Sequence, residues 1–313
     1  MRRIALLVTL AATLSLVAAA QAAAPDGLLA YSDGHSVFSV PPDGSAPPHR
    51  IGAGTQPEWS RDGKRIAWHG PGGVWVAAAS GAHAKLVIRG ASNPTWSPKA
   101  TRLAYIRKGD LWTARPDGSA VRILARSGAF QPGLLGDGPQ ILNIAWSPDG
   151  KRMAVAAGAA GSLNFEVNVS LIPVDHHVRS VAQTASIADG FPDAGDPGNA
   201  VSFGWLGWSP DSTTVATGGS TWGASADLGT PPPRTAGPYT ALVPVRHGAA
   251  TTYLAPPVPG LTHSGYAPDG KRLCGISSQG LAVFDLATQA ITSVAAPLAG
   301  DPDFTCSWSR PQP

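Results

Sequence analysis

The sequence predicts an all-β chain folded as a six-bladed propeller of four-stranded antiparallel blades. Three observations predict it: a composition that starves helices, one hairpin written six times, and chain ends that each supply part of one repeat. The chain has 313 residues, 43% apolar and 14% charged, with 37 glycines, 30 prolines and 10 tryptophans. That much turn-forming residue with that many aromatics suits short strands joined by tight turns. Glutamate occurs only at Glu58 and Glu166 and lysine is scarce, so the residues that normally cover exposed helix faces are missing.

The first element is an export signal. Met1-Arg2-Arg3 precedes an uncharged apolar run from Ile4 to Ala20, and Ala20-Gln21-Ala22 supplies a small-x-small site before Pro25. This order of basic, apolar and small residues is that of a secretory signal peptide over 1–24, leaving a single domain over 25–313. The run is shorter than the roughly 20 residues a bilayer needs, so no membrane span is expected after its removal. The formal charge of +3 falls to +1 without Arg2 and Arg3. With no run of basic residues elsewhere, nucleic acid is set aside as a partner.

The hairpins follow. Trp59-Ser60-Arg61-Asp62-Gly63-Lys64-Arg65-Ile66-Ala67 recurs from Trp96, Trp146, Trp208 and Tyr266, and begins once more at Trp308-Ser309-Arg310. In each copy a strand ends at the aromatic residue, Pro-Asp-Gly or its variant turns the chain, and Arg-Ile-Ala opens the return strand. A third strand follows, as at Gly73 to Val76 and Gly280 to Phe284, and then a short fourth, as at Val121 to Leu124. Four antiparallel strands in a repeat of about 40 to 50 residues make one propeller blade. The last copy has a first strand only. The mature N-terminus has a second strand at Leu28 to Tyr31, a third at His35 to Val40 and a fourth near His49-Arg50-Ile51, so the two ends complete one blade and close the ring.

The Trp-Ser-Pro-Asp-Gly-Lys-Arg signature resembles that of the TolB-type propellers, a six-bladed, WD-repeat-like family of bacterial cell envelopes that also serves as a domain in some peptidases. The resemblance implies an exported binding protein, periplasmic or extracellular, whose partner is an envelope protein or glycan. It extends to the propeller only, without the α/β domain that precedes it in TolB.

Residues common to every blade serve inter-blade packing, so function is expected where blades differ. The intervals between successive aromatic positions are 37, 50, 62, 58 and 42 residues, and the excess falls at Ser127 to Gln140, Gln183 to Ala200 and Gly219 to Pro238. These connections share one face and carry Phe130, Phe191, Trp222 and Tyr239, an aromatic surface for a partner. On that face the residues three before each aromatic position approach the channel mouth: Gln56, Asn93, Asn143, Trp205, His263 and Thr305. Five of them can hydrogen-bond, enough to hold a small polar ligand or a column of water.

No cofactor is expected. Asp189, Asp193 and Asp196 could hold Ca²⁺, but their spacing misses the EF-hand template and solvated carboxylates explain them as well. His176-His177 falls in a turn on the opposite face, away from His263. No Gly-x-Ser-x-Gly elbow is present, and the alternative to a binding protein is a hydrolase or lyase, metal-dependent in one version, acting at the channel mouth. A monomer is expected. Cys274 replaces the repeated alanine of its blade and Cys306 lies two residues before Trp308, so both can meet at one blade junction. A disulfide and a pair of buried thiols both remain open there.

Overall fold

A computed structural model of the chain describes residues 27–130, 140–158, 167–180, 183–188, 199–223, 238–246, 252–254, 264–277, 280–295 and 306–310. Residues 1–24, expected as a signal peptide, lie outside them. Six four-stranded antiparallel sheets form the blades. Blade 1 joins the chain ends: β1 (Leu29–Ser32), β2 (Ser36–Val40) and β3 (His49–Ala53) follow the innermost strand β24 (Cys306–Trp308). Blade 2 is β4 to β7 (Thr55–Trp59, Arg65–Gly70, Gly73–Ala78, Lys85–Arg89), and blade 3 is β8 to β11 (Ser92–Trp96, Leu103–Arg107, Asp110–Ala114, Arg122–Ala125). Blade 4 is β12 to β15 (Gln140–Trp146, Arg152–Gly158, Val167–Pro173, Ala185–Ala188). Blade 5 is β16 to β19 (Asn199–Trp208, Thr214–Gly223, Pro238–Pro244, Thr252–Leu254), and blade 6 is β20 to β23 (Ser264–Tyr266, Arg272–Ser277, Gly280–Asp285, Ile291–Ala295). The pairings Leu29↔Trp308, Ala30↔Ser307 and Tyr31↔Cys306 close the ring. Among the described residues no helix is long and apolar enough to cross a membrane.

The hydrophobic core is divided into clusters at the six blade junctions. Period-two alternation explains this, because each strand sends alternate side chains to its two neighbouring blades. In β5, Ile66 and Trp68 pack with blade 1 while Ala67 packs with Trp96 and Tyr105 of blade 3. In β13, Met153 and Val155 face blade 3, whereas Ala154 and Ala156 pack with Trp208 and Val215 of blade 5. The repeated alanine therefore faces the aromatic residue of the next blade and leaves it room.

The remaining repeat residues also bridge blades. Arg65, Arg152 and Arg272 lie over Trp96, Trp208 and Trp308 at 4.6, 5.5 and 5.2 Å from the ring centroids. Such contacts contribute roughly 0.5 to 2 kcal/mol each. Arg65 Nη2 also donates to Ala100 O at 2.6 Å and Arg152 Nη2 to Ser212 O at 3.2 Å, the turn of the next blade in both cases. The indoles return the contact: Trp96 Nε1 donates to Glu58 O at 3.1 Å and Trp208 Nε1 to Ala145 O at 3.0 Å.

Within each turn the serine and aspartate are a local brace. Ser60 Oγ donates to Asp62 Oδ1 at 2.7 Å and accepts from Arg65 N, and Asp62 Oδ1 accepts from Lys64 N. Ser147 with Asp149 and Ser209 with Asp211 repeat it. These bonds hold the Asp62, Asp149 and Asp211 carboxyls below the usual range, although burial opposes the shift at Asp62 and Asp149. The aspartates are therefore turn residues, as their position within the hairpin implies.

The expanded connections differ from the expectation in extent. Strands occupy part of what the intervals mark as loop: β15 lies inside Gln183 to Ala200, β16 starts at Asn199, and β17 runs on to Gly223. The period-two pattern that identifies a strand is weak in these small, polar stretches, and pairing to the neighbouring strand extends them nonetheless.

A central channel whose lining breaks the repeat

The innermost strands β4, β8, β12, β16, β20 and β24 pass one another around a central channel, and their side chains line two cavities in series. The smaller, about 70 Å³, lies at the end where these strands begin, and Gln56, Asn93, Asn143 and Trp205 all line it. The structure thus brings together four of the six residues expected at that mouth. His263 and Thr305 lie outside the described residues.

A bulge aims these residues inward. The pairing of the inner strand with its neighbour slips between Thr55 and Glu58, Ser92 and Thr95, Ile141 and Asn143, and Phe203 and Trp205, overlapping stretches of the repeat in four blades. Gln56 (φ 54°) and Asn93 (φ 48°) take the left-handed conformation there. Held against the preference of L-residues, such positions persist only where surrounding structure determines them, and they cluster at functional sites. The rim is linked blade to blade: Asn93 N donates to Gln56 Oε1 at 3.0 Å, and Asn93 Nδ2 donates to Leu142 O at 2.5 Å. Asn93 Oδ1 and Trp205 Nε1 are buried there without a protein partner.

Trp205 has a second role, since only 3% of it is exposed and it packs with Ala216, Leu273 and Phe284 in the junction of blades 5 and 6. Phe130, expected as a partner-binding aromatic, is also 3% exposed and sits in the junction of blades 3 and 4 with Leu111 and Ile144. A short 3₁₀ turn at Ser127–Ala129 folds it inward, so Phe130 belongs to the core instead of the surface. Trp222 pairs with Ala200 and Tyr239 with Gly219 along the long hairpin of blade 5. Phe191 and the trio Asp189, Asp193 and Asp196 lie outside the described residues. Among the described residues no group of three or more His, Cys, Asp or Glu side chains comes together. His176 lies on the C-to-D connection of blade 4, where its Nδ1 meets Asp175 Oδ1 at 2.6 Å.

The larger cavity, about 180 Å³, opens at the other end, among the short turns. Its walls are the repeated aromatics Trp59, Trp96, Trp146, Trp208, Tyr266 and Trp308. Both cavities share Glu58, Thr95, Ala145, Leu206 and Cys306, so Glu58 stands at the waist of the channel. Residues immediately before the aromatic position are Glu58, Thr95, Ala145, Gly207, Gly265 and Ser307 in ring order. Three contiguous blades are therefore polar and three carry minimal side chains. Burial pushes the Glu58 carboxyl up to about 8, against the opposing hydrogen bond from Ser307. Ser307 Oγ also accepts from Trp59 N at 2.8 Å. Glu58 is the site residue that the repeat alignment shows but the turn-by-turn reading passes over: one of two glutamates, it replaces small residues at its repeat position.

Cys274 and Cys306 are joined in a disulfide at the junction of blades 6 and 1, with Cα atoms 6.2 Å apart. The bond explains Gly265: a Cβ there would stand 2.9 Å from Cys306 O and 3.3 Å from Cys274 Sγ.

The fold these features define is that of a six-bladed β-propeller, and solved structures share it. The crystal structure of a nidogen/laminin complex aligns with a TM-score of 0.58 at 12% identity, over 90% of this chain and 98% of that one. A putative TolB from Agrobacterium tumefaciens aligns with a TM-score of 0.54 at 17% identity, over 79% of this chain and 84% of that one. No family model matches the sequence, and no curated protein matches it.

Proposed function

We propose that this chain is an exported, non-catalytic propeller that binds a protein or glycan of the cell envelope on the face where the inner strands begin. One observation carries the reading: Gln56 and Asn93, both in left-handed backbone, and Asn143 converge on the channel mouth from bulges at one repeat position. Gln56 and Asn93 also bond from blade to blade at this opening, and Asn93 Oδ1 remains there without a protein partner. The signal-like N-terminus supports export, and because the propeller fold alone does not set an activity, the binding reading rests on the channel mouth.

The test is capture of envelope proteins and of isolated peptidoglycan by purified protein. The triple variant Gln56→Ala, Asn93→Ala, His263→Ala should lose capture by tenfold or more with its melting temperature kept within a few degrees. Changing Lys64, Lys151 and Lys271 in the short turns should leave capture intact. Normal capture by the folded triple variant, with loss in the lysine variant, would reverse the assignment of the face.

A further inference from the structure

The opposite end of the channel carries a second departure from the repeat. Two residues after the aromatic position stand Pro98, Pro148, Pro210 and Pro268 in blades 3 to 6, but Arg61 in blade 2 and Arg310 in blade 1. These are the two neighbouring blades that also place Glu58 and Ser307 at the waist. Polar substitutions at two independent repeat positions thus fall on one side of one cavity. Arg61 stands three positions after Glu58, just beyond the end of β4, so their backbones are at most about 10 Å apart along the channel.

The two arginines are close enough to repel one another. Burial lowers the Arg61 pKa, and the charge of Arg310 lowers it further. Arg61 Nη1 donates to Pro148 O at 3.1 Å, reaching from blade 2 towards blade 4 over the opening, which occupies one of its five N–H donors. Among the described residues neither arginine is in an ion pair. Two guanidinium groups without an ion-pair partner among the described residues, at a partly buried opening, suit a carboxylate- or phosphate-type anion. The cavity behind them decides which. Five tryptophans and Tyr266 line it together with prolines and small residues, and its volume is about 180 Å³, below the 300 Å³ or more of ordinary ligand pockets, so it suits a flat ligand of one ring. At its floor stands the Glu58 carboxyl, which burial pushes up to about 8; in its protonated form it has a hydrogen to donate, and once ionised it would repel a phosphate's second charge.

We propose that this end of the channel binds a small planar carboxylate: Arg61 and Arg310 hold the carboxylate, the tryptophans sandwich the apolar body, and Glu58 donates to an acceptor at the far end. The site goes beyond the partner-binding face and uses the opposite opening. Binding requires Glu58 to carry its proton. The titratable groups lining the cavity are Glu58, Arg61, Tyr266 and Arg310; β8, β12, β16 and β24 contribute Thr95, Ala145, Gly207 and Ser307, none charged. Tyr266, pushed up to about 12 by burial, stays neutral throughout the range tested. Glu58 is therefore the group that changes charge between pH 6.5 and 9.5.

The experiment is calorimetric titration of the full protein with 4-acetylbenzoate, whose ketone is an acceptor that does not titrate, and with 4-acetylbenzamide. The acid should bind at one site and the amide at least tenfold more weakly. The dissociation constant for the acid should rise tenfold or more from pH 6.5 to 9.5 in the wild type. In Glu58→Gln, which keeps a neutral donor, it should change less than threefold. Arg61→Ala with Arg310→Ala should weaken the acid at least tenfold; if that variant does not fold, the acid–amide pair and Glu58→Gln still decide. Equal binding of acid and amide, no saturable heat with either, or a pH dependence unchanged in Glu58→Gln would each overturn the proposal.

Discussion

The two ends of the channel are built from the same six strands by different means. At the end where the strands begin, bulges and left-handed residues aim neutral amides at the opening, and Asn93 links neighbouring blades there. At the other end five short turns share one geometry, left-handed at Gly63, Ala100, Gly150, Ser212 and Gly270, and the departure is chemical: arginine replaces proline in two blades. A repeat can acquire a site by bending its backbone or by exchanging a side chain on an unaltered turn. The first strategy costs strain, and the second costs the repulsion of like charges. Glu58 lies where the two ends meet.

The largest expected effect concerns the closure on which both ends depend. Deleting 306–313 removes the inner strand of blade 1, the disulfide partner Cys306, Ser307 and Arg310. Soluble, cooperatively melting protein should disappear; a truncated chain that melts like the full one would break the closure argument. A milder cut separates closure from pairing. Cys274→Ser with Cys306→Ser opens a link between residues 32 apart, and the loop-entropy rule predicts a loss of about 3 to 4 kcal/mol, read from denaturant unfolding. A difference below about 1 kcal/mol would mean that strand pairing alone holds the ends.

The next effect isolates the waist. Glu58 has a folded value near 8 against 4.5 for the free side chain, so the folded state holds a proton that the unfolded state releases. The stability associated with that proton is full below about pH 4.5 and is lost progressively as the pH rises towards 8. The turn aspartates titrate alike in both proteins, so the melting temperature of wild type relative to Glu58→Gln should fall from pH 5 to 8 and then level. A flat difference would place the carboxyl in a more hydrated setting than its surroundings indicate.

The smallest effect bears directly on strain. Gln56→Gly relieves a left-handed backbone worth about 1 kcal/mol and removes one hydrogen bond of similar worth, that from Asn93 N. Melting should shift by no more than a few degrees while envelope capture falls. Capture unchanged beside a raised melting temperature would make the bulge a structural joint with no part in binding.

The architecture was legible in the residues because a propeller repeats its physics. A blade needs a small residue facing the next aromatic and a turn that accepts positive φ, and three blades add an arginine that crosses the junction; five full copies of one decapeptide and the start of a sixth report those needs. The channel-mouth positions Gln56, Asn93, Asn143 and Trp205 were legible for the same reason, since strand register carries them to one opening. What register does not reveal is burial. Trp205 reads as a channel-mouth residue and Phe130 as a surface aromatic, yet both lie in blade junctions, because a junction recruits whatever large side chain its neighbours leave room for. The charge of Glu58 was also hidden, since a carboxyl's protonation depends on how much water reaches it. The sequence by itself determined the blades, their order and their closure through local turn chemistry and period-two patterning. Only the tertiary structure decided that Glu58, Ser307, Arg61 and Arg310, up to 252 positions apart, share one side of one cavity, because closing the ring places the last strand beside the first complete blade.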